Sequence, residues 1–276
     1  MPRAVFWGLS AVFLFFPSAF IAEAEGGYAQ SDYVLSKFLA DGQKQLYAGE
    51  YKKAAELFDE HIKRHSDDPV GYWRRGYAEY MLVRARNKDD EPRVNDRVAY
   101  TEIIVLLDTG INMAEVKIRD GKDADFHRFV EAATFGLKAV FERTNGFPWS
   151  SRDSAERMRE LTGNSRYQDA SYIPGLLEYR ISKLDFFTRF VAARIFGLPK
   201  DRKNGLRLIA EALHGNSGPF ADDIKFVALS IFCDLGGEEL KEAEKILRFE
   251  RAQFLRYVEY QYPRNPLVRE CNTKNY

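Results

Sequence analysis

Between Gly42 and Pro69 small and large residues fall where two helices lying side by side must touch. Ala54 permits close approach, Leu46, Tyr51 and Phe58 fill the space between, and Gly49 stands where the chain must turn. A helix pair built this way cannot bury its apolar face alone and needs neighbours stacked on it. The stretch Val70–Ala85 repeats the pattern of the first helix, with Tyr72, Trp73, Gly76, Ala78, Tyr80 and Met81. Gly42 and Gly76 stand 34 residues apart, so the similarity has a period as well as a composition.

Helical periodicity continues along the chain. The spacing predicts helices over 34–46, 51–65, 70–85, 98–113, 124–143 and 151–161. Breaks are expected at Ser66–Pro69, in the charged segment 87–96, at Asp120–Asp125 and at Asn145–Pro148. Ile103 to Leu107 is continuously hydrophobic and is expected to be central. No strand-like alternation of any length appears, and the fold class is all-α.

Lysine and arginine total 41, as do aspartate and glutamate, so no electrostatic argument exists for nucleic acid or an anionic membrane surface. The N-terminus is different. Arg3 is followed by an uncharged apolar run from Ala4 to Ala22, then small residues at Ala22-Glu23-Ala24. This order suits a secretory signal over residues 1–24, cleaved after Ala24, with residues 25–276 forming one periplasmic or secreted domain. The alternative is a retained membrane anchor, because the run is nearly long enough to span a bilayer. Pro17 and Gly8 interrupt it, and no cysteine lies nearby to be acylated. Membrane contact is therefore expected only transiently, through the signal.

Cys233 and Cys271 are the two cysteines of the chain. A single helix from about Glu238 to Tyr260 would carry the chain roughly 30 Å away at 1.5 Å per residue. A bridge needs Cα atoms within about 7 Å. The expectation is a buried, free Cys233 and an exposed Cys271.

The pattern of Gly42 to Pro69 and its echo in 70–85 resembles a tetratricopeptide repeat. Further on, Tyr172-x2-Gly175-Leu176-x2-Tyr179, Phe186-Phe187-x2-Phe190, Phe196-Gly197-Leu198-Pro199 and Gly205-Leu206-x2-Ile209-x2-Ala212 resemble exported bacterial proteins of that family with a wider hairpin between repeats. The segment Phe226–Pro266 is similar to a last repeat, with Gly236-Gly237 as its turn. The resemblance implies a right-handed α-solenoid of antiparallel helix pairs, irregular in the middle, with repeats clearest at 35–85 and 220–266. It implies a concave groove lined by the first helix of each pair, here Gln43, Leu46 and Tyr47, then Val70, Trp73, Arg74, Tyr77, Tyr80 and Met81. The family's carboxylate clamp is not implied, since Leu39 and Gln43 stand where it uses a lysine and an asparagine.

Chemistry-bearing motifs are sparse. His61 and His65 share a helix face, but Ile62 stands where a metalloprotease base would be, and no third ligand is evident. Asp120, Asp123 and Asp125 lack the glycine and closing glutamate of a calcium loop. No nucleophile elbow, phosphate loop or dinucleotide fingerprint occurs. The expectation is a non-catalytic scaffold without cofactor or metal, binding a protein or peptide through Gln43, Tyr47, Trp73, Arg74, Tyr77 and Tyr80. The alternative is a small apolar ligand enclosed by Phe186–Phe196.

Overall fold

A computed structural model describes residues 33–86, 93–183, 201–215 and 218–273. Twelve α-helices and no strand occur among these residues. They are α1 (Lys37–Tyr47), α2 (Tyr51–Arg64), α3 (Pro69–Arg86), α4 (Arg97–Arg119), α5 (Ala124–Thr144) and α6 (Pro148–Asn164). A short 3-10 turn, Gln168–Ser171, leads to α7 (Tyr172–Ser182), followed by α8 (Arg202–Gly215) and α9 (Ala221–Asp234). The chain closes with α10 (Gly237–Leu247), α11 (Arg251–Gln261) and α12 (Pro266–Thr273).

Local chemistry sets the ends of these helices. Ser36 caps α1 by accepting the Leu39 N–H at 3.2 Å, and Asp96 does the same for α4 through Val98 at 2.8 Å. Pro148 does not merely end α5: it opens α6 at the first turn, where its missing N–H costs nothing. Gly49 turns with φ +81°, and a Cβ there would lie 2.9 Å from the Pro266 ring.

Consecutive helices from α1 to α6 pack on one another, and α3 also touches α1 and α5. The small-large packing expected within the first helix pair is present, and a second such contact joins α3 to α4. A Cβ on Gly42 would lie 2.4 Å from the Phe58 ring, and one on Gly76 would lie 2.4 Å from Leu107. One core runs from Leu39 through Phe58, Phe126, Phe129 and Phe141 to Ile173 and takes in Phe220 and Ile224. A second gathers Tyr179, Leu206, Phe232, Leu247, Phe254 and Val268. The C-terminal helices return to the start of the chain. Phe226 stacks on Tyr47 at 4.8 Å, and the Asn265 amide donates to the Tyr47 carbonyl at 2.7 Å.

The cysteine expectation is corrected. Cys233 and Cys271 form a disulfide with Cα atoms 5.1 Å apart, and both are buried. No single helix spans 238–260. Arg248 enters the left-handed region (φ 57°) and its N–H bonds the Glu244 carbonyl, which ends α10. The Glu244 side chain then accepts the Arg251 N–H at 2.9 Å and sets the start of α11. Phe249 folds back against Phe254, ring to ring at 5.2 Å. With the helix broken there, α12 lies against α9 and delivers Cys271.

Candidate functional site

The six groove residues expected from sequence lie together, but inside the molecule. Gln43, Tyr47, Trp73 and Arg74 are buried, Arg74 only 1 % exposed, while Tyr77 and Tyr80 are half-buried. The start of α9 occupies the space they surround. Asp223 accepts from both terminal nitrogens of Arg74, one at 2.9 Å, and from the Tyr47 hydroxyl. The Arg74 guanidinium lies 4.1 Å from the centre of the Trp73 ring and 4.6 Å from that of Phe220. Trp73 in turn meets Phe129 and Phe220 edge-on. Tyr77 stacks on Tyr80, which sets its edge on Phe141.

Electrostatics follow from this enclosure. Burial works against the Arg74 charge, yet Asp223 holds its pKa above the ordinary arginine value. Burial first, then Asp223, raises the Tyr47, Tyr77 and Tyr172 phenols, so all three stay protonated at neutral pH. Arg75 points elsewhere and pairs with Asp59 at 2.8 Å and with Glu79. The acids that meet Arg74 and Arg75 are therefore the chain's own.

His61 is also interior. Its Nδ1 lies 2.8 Å from the Ser36 hydroxyl and its Nε2 lies 3.0 Å from Asp68, which also accepts from Tyr33 at 2.6 Å. Ser36 is spent as the cap of α1, and Gly71 closes over the imidazole, so the chain of contacts fastens the N-terminal segment to α2 and α3. His65 stacks on His61 at 4.9 Å. Among the described residues no group of three or more metal-type side chains converges. In the first turn of α5, Asp125 pairs with Arg128 at 2.9 Å. The aromatic stretch Phe186–Phe196 and the Gly197-Leu198-Pro199 turn lie outside the described residues.

The surface feature that sequence reasoning missed is the outer face of α4. Ile103 and Leu107 enter the core as expected, but Val98, Val105 and Val116 are 66, 59 and 40 % exposed. A shallow groove of about 610 Å³ runs along this helix beside Tyr72 of α3, lined by Val98, Thr101, Val105, Leu106 and Thr109. Thr101 and Thr109 direct their hydroxyl protons to the carbonyls of Arg97 and Val105 at 2.9 and 2.8 Å, leaving no donor to spare. The signal was present as Val98 and Val105, seven residues apart, with Thr109 and Val116 continuing one helical stripe. It was hidden because the core stripe of the same helix is equally apolar. Among the described residues no helix is long and apolar enough to cross a membrane.

No family model matches the chain, and no curated protein or solved structure matches it.

Proposed function

We propose that this chain is an exported, non-catalytic helical scaffold of the bacterial cell envelope, similar in construction to tetratricopeptide solenoids, that holds a protein partner on the outer face of α3 and α4. The observation that carries this reading is the α4 groove. It is apolar, open to solvent and continuous from Arg97 to Thr109, roughly three helical turns, whereas isolated exposed apolar residues would need no explanation. Binding there would draw on burial of the valine stripe, with Arg97 and Glu102 at the groove fixing orientation. The disulfide supports export, since such bonds persist chiefly in oxidising compartments. The apolar run 4–22 supports the same route.

The reading moves the binding face away from Gln43, Tyr47, Trp73, Arg74, Tyr77 and Tyr80, because Phe220, Asp223 and Phe226 already fill the space between them. Displacing α9 would expose Ile224, Leu229, Ile231 and Phe232, all fully buried. That cost excludes an easy exchange with an outside peptide.

The test is a pair of surface variants, Val98→Asp with Val105→Asp, expressed in the native cell. Partner recovery after chemical crosslinking is expected to fall at least tenfold with the helical content unchanged. An unchanged crosslinking pattern would sink the proposal. Export is tested separately by N-terminal sequencing, with a start at Glu25 expected and an intact Met1 or Pro2 contradicting it.

A further inference from the structure

We infer that the partner for the α4 face is a second copy of this chain, bound through α4 in an antiparallel, two-fold contact centred at the level of Leu107. The inference rests on the reading of α4 as a docking face and goes on to identify what docks there. The stripe is self-complementary under such a rotation. Val98 falls opposite Val116 of the second copy, Val105 opposite Thr109, and Glu102 opposite Asn112. In a two-fold contact each of these pairs forms twice. Val98 meets Val116 and Val105 meets Thr109, whose hydroxyl is already bonded to the Val105 carbonyl of its own helix, and the Asn112 amide can donate to the Glu102 carboxylate.

Charge on the flank agrees with this register. Arg97 and Glu115 lie along one side of α4, five turns apart, and neither makes an ion pair with another described residue. Arg97 sits in the first turn of its helix, where the macrodipole disfavours a cation. Turning the second helix end for end about Leu107 sets the second copy's Glu115 on the same flank as Arg97, two residues or about 3 Å along the axis, while Lys117, level with Arg97, lies on the other flank and is held by Asp67 at 2.6 Å. The Arg97 cation, disfavoured in the first turn of its own helix, thus gains a carboxylate across the axis. A parallel two-fold would keep Arg97 and Glu115 of the two copies five turns apart and on opposite flanks, so that neither would meet the other.

The experiment is sedimentation equilibrium of the mature, disulfide-bonded chain from micromolar to about 100 µM. A dimer is expected. Arg97→Glu and Glu115→Arg are each expected to weaken it about tenfold, and the double reversal to restore it. Val105→Asp, at an exposed position, is expected to abolish it with an unchanged thermal melt. If Val105→Asp fails to fold, the charge reversals decide alone. A dimer that the double reversal does not restore, or that Val105→Asp leaves intact, would overturn the contact. A monomer at every concentration whose Val105 still crosslinks to other proteins would overturn the second copy while the docking face stands. A monomer with no adduct from Val105 would overturn both.

Discussion

Arg74 shows how far a residue's role depends on a partner remote in sequence. In the chain it is the first of two adjacent arginines and is expected to line a partner-binding groove; in the fold it is buried between Trp73 and Phe220 and paired with Asp223, 149 residues later. Nothing local announces that pairing. Removing one partner leaves a charge without compensation inside the protein, so Asp223→Ala is expected to cost about 3–5 kcal/mol in urea unfolding. Replacing both by apolar residues, Arg74→Met with Asp223→Leu, is expected to recover most of that loss. Glu131 gives a second test at this scale. Burial raises its carboxyl to about 7, only partly offset by Arg157 at 3.6 Å. The folded state therefore binds this proton more tightly than the unfolded chain. Its favourable contribution is complete below about pH 4.5 and is lost as pH rises through about 7. Glu131→Gln is accordingly expected to be more stable than the parent at pH 8 by about 1–3 kcal/mol, the gap closing below pH 4.5. Thermal melts at the two pH values measure it.

At the scale of helices the sequence was largely readable, because periodicity and caps are local. Helices α2 and α5 start at Tyr51 and Ala124 as expected, α3 and α10 start one residue earlier than expected, at Pro69 and Gly237, and Gly42 lies against Phe58 within the first helix pair. The missed break at Arg248 has a physical cause. Non-glycine residues seldom take φ 57°, so no residue type marked the stop, and the side chain of Glu244 provides the turn. That error propagated to the cysteines. The bridge closes a loop of 38 residues in sequence separation. Cys233→Ser with Cys271→Ser is expected to lower unfolding stability by about 3–4 kcal/mol, and reductant is expected to act on the parent alone. Gly175 and Gly205 make a further prediction between α7 and α8. A Cβ on either would lie 2.8 Å from the other's carbonyl oxygen, backbone that cannot swing aside. Gly175→Ala is expected to cost about 1–3 kcal/mol in chemical denaturation.

Over the whole molecule, the return of the C-terminal helices to α1 decides which surfaces remain free. A repeat pattern read from Gly42, Gly49 and Ala54 leads to an open groove beside Tyr47 and Trp73; that inference holds only while nothing else in the chain fills it. Phe220, Asp223 and Phe226 do fill it, and no local pattern distinguishes an aromatic that lines a groove from one that receives another helix. The docking face we propose is therefore on α4, whose two stripes, one inward and one outward, are both apolar. The most direct measurement places a photoreactive amino acid at Val105 and, as control, at Tyr260, which is 89 % exposed on α11. Irradiation in the native cell is predicted to give discrete protein adducts from position 105 and none in common from position 260. Adducts from 260 alone, or the same adducts from both, would contradict the assignment of α4 as the docking face.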